Sequence, residues 1–212
     1  MHEVMSAQAP AARERILETA SELFYAEGLR AVGVDTIIAK AGVAKASFYK
    51  HFPSKDDLIV AFLRRRDGLW RQWLQERVEQ LSPAPQGRPL AVFDALAERF
   101  ARADYRGCAF INSMVELADP THTAHRTAQE HKREVIRYLN GLLAEAGISK
   151  PDDLSYQFMM LIDGAVVTRL REGTPAAALS AKRVAATLLQ NTPPTKKRSR
   201  HVPNANRRSV AR

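Results

Sequence analysis

Cysteine occurs once in the 212 residues, at position 108, which excludes an intrachain disulfide framework and fits a reducing compartment. No uninterrupted apolar run approaches the roughly 18 residues that a membrane span needs, and the opening MHEVMSAQAPAARER lacks the basic start and apolar centre of a secretory signal. No strand-like alternation competes with helical spacing, and no internal repeat is evident. A nucleophile elbow, a phosphate-binding glycine loop, a dinucleotide fingerprint and a metal-protease motif are all missing. An enzyme is therefore not expected, nor a cofactor, nor a membrane partner; the expected location is the cytoplasm.

Acidic residues are also missing from Thr195 onward, where Lys196, Lys197, Arg198, Arg200, Arg207, Arg208 and Arg212 carry seven of the net +9 charges. The rest of the chain is then close to balanced, so the basic pI of about 10.0 belongs mostly to the tail and says little about the folded part. Residues 193–212, PPTKKRSRHVPNANRRSVAR, are polar and almost without large apolar groups, the composition of a disordered basic tail.

What is present is helical periodicity. Ile16, Leu17, Ala20, Leu23 and Phe24 share one face of a first helix over residues 13–27 that Gly28 is placed to end. Asp35 opens a second, over 35–41, with Ile37, Ile38 and Ala41 inward; Gly42 breaks it, and a third short helix runs over 44–50. Pro53 ends that one, and Ser54 caps a fourth over 55–81, with Asp56 and Asp57 in its first turn. After the loop SPAPQGRP, helices are expected over 90–103, 108–118, 121–146, 152–172 and 176–190, giving an all-α chain of about nine helices.

The stretch AGVAKASFYKHFPSKDDL, residues 41–58, asks for a purpose. Two short helices joined at a glycine and packed on a longer preceding one make a helix-turn-helix, whose last helix lies in the major groove of DNA. The small residues Ala44 and Ala46 let that helix approach closely in a groove about 12 Å wide. Lys45 can reach a guanine edge or a phosphate, and Ser47 can donate to either. Tyr49 and His51, toward the helix end, suit phosphates, as do the Thr36 hydroxyl beside free backbone N–H groups and Lys55. Phe48 and Phe52 read as core anchors. The plainer reading is a tight turn in a helical bundle, since residues 1–55 hold 7 basic and 6 acidic side chains.

A resemblance separates these readings. RERILETASELFYAEGLRAVGVDTIIAKAGVAKASFYKHFPSKDDLIVAF, residues 13–62, resembles the N-terminal domain of the tetracycline-repressor (TetR) family of transcriptional regulators. The shared landmarks are AxxLFxxxG from Ala20 to Gly28, the T…IA…AGV run from Thr36 to Val43, and YxHFxxKxxL from Tyr49 to Leu58. The resemblance implies an N-terminal DNA-binding domain (1–54), a helical effector-binding and dimerisation domain (55–192), and, beyond these, the basic tail (193–212). It implies phosphate contacts at Thr36, Tyr49, His51 and Lys55 and base contacts at Lys45 and Ser47. Ala44 stands where serine or threonine is common and lacks the hydroxyl that would cap the helix or touch DNA.

The expected function is a sequence-specific regulator, a repressor released by a small-molecule effector; the alternative is a non-specific binder driven by the tail. The partners implied are double-stranded DNA with a palindromic operator, an unidentified effector and a second copy of the chain. Apolar groups in FMMLIDGAVVTRL (158–170), with Leu179, Val184, Ala185, Leu188 and Leu189, exceed what one packed face needs; they fit a four-helix interface or a monomer core.

For the effector, GCAFINSMVELADPTH (107–122) resembles a regulatory-domain subgroup with a GCxxxN…E…DP pattern. Cys108, Asn112 and Glu116 recur every four residues and can line a cavity or brace neighbouring helices. Asp163, in an otherwise apolar helix, needs a partner if buried, and Phe110, Met114 and Met159 can form an adaptable apolar wall. His122, His125 and His131 raise a metal reading without zinc-motif spacing, so no metal is expected. Oxidation of Cys108 is a further reading.

Overall fold

The computed structural model describes residues 11–192, and the tail expectation lies outside them. The described residues form nine α-helices: α1 (Ala12–Glu27), α2 (Val34–Ala41), α3 (Lys45–His51), α4 (Lys55–Leu81), α5 (Arg88–Phe100), α6 (Ala109–Leu117), α7 (Thr123–Glu145), α8 (Asp152–Glu172) and α9 (Ala176–Gln190). None is long and apolar enough to cross a membrane.

Local chemistry accounts for the first four boundaries. Gly28, at φ +96°, ends α1 with its N–H on the Phe24 carbonyl. Gly42 takes the left-handed region at φ +62°; its N–H reaches Ala39 O while Val43 N–H reaches Ile38 O, so two free carbonyls of α2 are satisfied within one turn. The Ser54 hydroxyl accepts from Asp57 N–H at 3.1 Å and starts α4.

Two apolar cores follow. Ile16, Leu23, Phe24, Ile37, Phe48, Phe52, Leu58 and Phe62 close the N-terminal one, to which Phe110 from α6 and Ala124 and Ala128 from α7 also contribute. The larger one gathers α5, α7, α8 and α9 around Phe93, Leu139 and Phe158. With 27 residues at about 1.5 Å rise each, α4 is about 40 Å long and passes from Leu58 and Phe62 in the first core to Leu74 and Val78 in the second.

Two details differ from expectation. α5 spans 88–100 and not 90–103: Pro89, which needs no N–H partner there, sits in its first turn, and after Phe100 the chain turns so that Tyr105 packs on the Phe100 ring at 4.9 Å. α3 starts at Lys45, with Ala44 as a cap that offers no side-chain hydrogen bond.

Candidate DNA interface and effector cavity

α3 turns Phe48 into the core, fully buried, and leaves Ala44, Lys45, Tyr49 and Lys50 exposed. Thr36 in the first turn of α2 is exposed as well; Ser47, His51 and Lys55 are half-buried. The expected DNA-contacting residues therefore lie on and around one short helix whose opposite side is fixed by Phe48 and Phe52. Tyr49 is held edge-on to Phe48, ring centroids 5.2 Å apart. Lys45 Nζ donates to Asp35 Oδ1 at 3.1 Å, and this hydrogen bond holds the ammonium above its ordinary pKa. The pair is exposed, so water and salt screen it and it holds Lys45 only weakly.

Between the two cores lies a cavity of about 50 Å³, well below the several hundred Å³ of an open small-molecule site. It is narrow, with open room for little more than water, so a larger ligand must part the side chains. Tyr25 of α1, Arg66 and Trp70 of α4, Arg99 and Phe100 of α5, Tyr105, Cys108 and Phe110, His131 of α7 and Met159 of α8 all border it.

Of the expected ligand contacts, the structure brings Cys108, Phe110 and Met159 to this cavity and takes four others elsewhere. Asn112 Nδ2 donates to Arg106 O at 2.9 Å, bracing the loop before α6. Glu116 Oε2 accepts from Arg30 N–H at 3.0 Å, tying the end of α6 to the turn after α1. Met114 packs on the N-terminal core. Asp163, half-buried, pairs with Lys132.

His131 is 4% exposed. It stacks on Phe110 with centroids 3.6 Å apart, and its Nδ1 lies 2.7 Å from Asp67 Oδ1. Burial drives its pKa down to about 4, the bond to Asp67 offsetting only part of that. Burial alone would raise Asp67, but the hydrogen bonds from Arg71 and His131 outweigh it and hold the carboxyl low. A neutral ring beside an ionised carboxylate places the proton on Nδ1 and leaves Nε2 as an acceptor. His122 caps α7, its Nδ1 accepting from Ala124 N–H at 3.1 Å while Nε2 lies 3.3 Å from Asp56 Oδ2. Among the described residues, no group of three or more His, Cys, Asp or Glu is arranged to hold a metal.

Tyr25 and Arg66 were not singled out from sequence, yet they join the two units. The Tyr25 hydroxyl accepts from Arg106 N–H at 3.0 Å and donates to Gly107 O at 3.1 Å, while the Arg66 guanidinium lies 3.5 Å from the Tyr25 ring centroid. The available signal was Arg66 four residues from both Phe62 and Trp70, a charge in register with an apolar face.

Comparison with known proteins agrees with this architecture. The profile of the bacterial regulatory proteins of the tetR family matches residues 16–62. A TetR-family transcriptional regulator from Streptomyces coelicolor, SCO4454, superposes with a TM-score of 0.80 and 32% identity, covering 87% of this chain and 91% of that one. The HTH-type transcriptional regulator YjdC of Escherichia coli is 23% identical over 84% of this chain and 93% of its own length. The HTH-type transcriptional repressor KstR2 of Mycobacterium tuberculosis is 27% identical over 82% of this chain and 88% of its own. The chain belongs to the TetR family of DNA-binding transcriptional regulators.

Proposed function

We propose that this regulator is a homodimeric repressor that holds a palindromic operator through paired α3 helices and releases it when a small molecule enters the cavity. The observation that carries the reading is the double attachment of the cavity wall to the DNA-reading unit: Tyr25 to Arg106 and Gly107, and Glu116 to Arg30. Residues 1–54 read DNA, with Lys45 and Ser47 on bases and Thr36, Tyr49, His51 and Lys55 on phosphates; Ala44 approaches the groove without a polar contact. Residues 55–192 bind effector and dimerise. The relative named a repressor, KstR2, supports the direction of control.

Dimerisation through α8 and α9 is supported by an outer face carrying Tyr156 at 59% exposure and Met160 at 61%, with Val167, Leu170, Leu179 and Val184 also exposed. Such a row of apolar side chains is costly in water and typical of an interface. Two-fold symmetry then places two copies of α3 on successive major grooves. Because the cavity is narrow, a ligand prefers a state in which α4, α6 and α7 stand farther apart. A preference of about 3 kcal/mol shifts the equilibrium more than 100-fold, and the Tyr25 and Glu116 links pass that shift to α1 and α2.

The test is fluorescence anisotropy of the full chain on the DNA upstream of its own gene, at about 0.15 M salt, with excess non-specific competitor. The expected result is a competitor-resistant complex of two protomers per site that Lys45→Ala or Tyr49→Ala weakens at the operator, whereas deleting residues 193–212 lowers affinity for all DNA and flattens the salt dependence. Loss of binding on tail deletion, with Lys45→Ala and Tyr49→Ala without effect, would instead establish tail-driven, non-specific binding.

A further inference from the structure

We propose that the cavity takes an organic anion, a carboxylate or equivalent oxyanion carried on an apolar body of aromatic or acyl character. This rests on reading the cavity as the effector site and names the chemistry of its ligand.

No carboxylate lines the cavity, while Arg66, Arg99 and Lys132 do. Lys132 is neutralised by Asp163, and His131 is occupied by Asp67. Arg66 and Arg99 are different: among the described residues neither forms an ion pair with a carboxylate. Arg66 lies over the Tyr25 ring and Arg99 over Trp73 at 5.6 Å, and the Asp104 carboxylate whose charge Arg99 feels is already hydrogen-bonded to Arg102. A ring face is a weaker partner for a guanidinium than an oxyanion that accepts two parallel N–H bonds. Burial, and the like charge of Arg99, also depress the Arg66 pKa, the cost of two cations drawn together without an anion.

Tyr105 supplies an independent sign. The residue is 8% exposed and its hydroxyl is buried without a hydrogen-bond partner, an arrangement that native structures rarely leave unexplained. Burial raises its pKa, so it remains a donor at neutral pH. An oxyanion is the partner that each of the three groups lacks. A neutral ligand leaves both guanidinium groups uncompensated, and a cation adds a third like charge.

The remaining wall sets the ligand's body. Phe110, Met159, Ile162 and Val166 line the apolar depth. Arg66, Arg99 and Trp70 also border an outer groove with Leu69 and Trp73, which places the two arginines where the cavity meets the surface. The anionic head therefore sits near the mouth and the apolar body inside. An anion that engages Arg66 competes with the Tyr25 ring for the guanidinium, and Tyr25 belongs to α1.

The experiment uses the full chain with anilinonaphthalenesulfonate, an aromatic sulfonate that fluoresces in apolar cavities, displaced by phenylpropionate, phenylbutyrate, octanoate and decanoate, each compared with its uncharged primary amide. At least one acid is expected to displace the probe at about tenfold lower concentration than its amide. That preference should fall toward unity in Arg66→Gln and Arg99→Gln, persist in part in Arg66→Lys, and weaken in Tyr105→Phe, which keeps the ring and so protects the test should an arginine variant fail to fold. Amides as effective as acids throughout, or an acid preference unchanged in every variant, overturns the proposal. Operator release is read with the same compounds. An arginine-dependent acid that leaves the operator bound supports the anion site and refutes the effector reading; a neutral compound that fills the cavity and releases DNA does the reverse.

Discussion

Lowering the pH from 7 to 5 should cost the protein stability through His131 alone. The ring is 4% exposed, stacked on Phe110 and edge-on to Trp70 at 5.3 Å, and its pKa is pushed down to about 4 from an ordinary 6.5. Above pH 6.5 the ring is neutral in both folded and unfolded chains, and its contribution is fully present. Below 6.5 the unfolded chain takes up a proton that the folded chain refuses, so stability falls as pH falls and the loss is complete near pH 4. At about 1.36 kcal/mol per pH unit, the 1.5 units between 6.5 and 5 amount to about 2 kcal/mol. Urea unfolding followed by circular dichroism, at fixed protomer concentration because dimers gain stability by mass action, measures it in the native chain and in His131→Gln. The variant should be less stable at pH 7 but should lose about 2 kcal/mol less on going to pH 5. Equal pH losses in the two proteins would show that His131 is not held neutral by burial, and the reasoning would fail.

Three other substitutions separate parts of the account. Glu116→Ala removes the acceptor for Arg30 N–H and should cost about 1 kcal/mol in urea unfolding, with operator binding less responsive to effector; unchanged stability and response would show that this contact transmits nothing. Gly164→Trp projects from α8 into open space in the protomer, so helix content should hold while sedimentation velocity shifts from dimer to monomer; a dimer that persists would move the interface away from this face. Asp35→Asn frees Lys45 and removes a negative charge beside α3, so operator affinity should rise several-fold at low salt, and a fall would mean that the ion pair positions Lys45 for DNA.

The helix-turn-helix was legible because its boundaries are set by local chemistry. Gly28, Gly42, Pro53 and Ser54 act within a few residues of themselves, and the apolar spacing around Ile16 and Phe24 fixes which face is buried. The cavity was only partly legible because its wall is assembled from distant segments. Cys108, Asn112 and Glu116 do run along one stretch, but α6 has just nine residues and passes from the cavity to the DNA-reading unit. Cys108 faces the first, Asn112 closes the loop at Arg106, and Glu116 meets Arg30. Arg66, Arg99 and Tyr105 gain meaning only when α4, α5 and the following loop are packed together. The end of α6 was expected at residue 118, but nothing local announced the left-handed φ of 54° that Ala118 adopts, a region alanine seldom favours.

The central claim is that α3 reads base sequence as one of a symmetric pair. Selection of bound duplexes from a random-sequence pool by the full chain, run alongside Lys45→Ala and Ser47→Ala, tests it most directly. The account predicts an enriched motif with two-fold symmetry, relaxed at symmetry-related positions when either side chain is removed. A pool that yields no motif, or a motif that both substitutions leave unchanged, would contradict it.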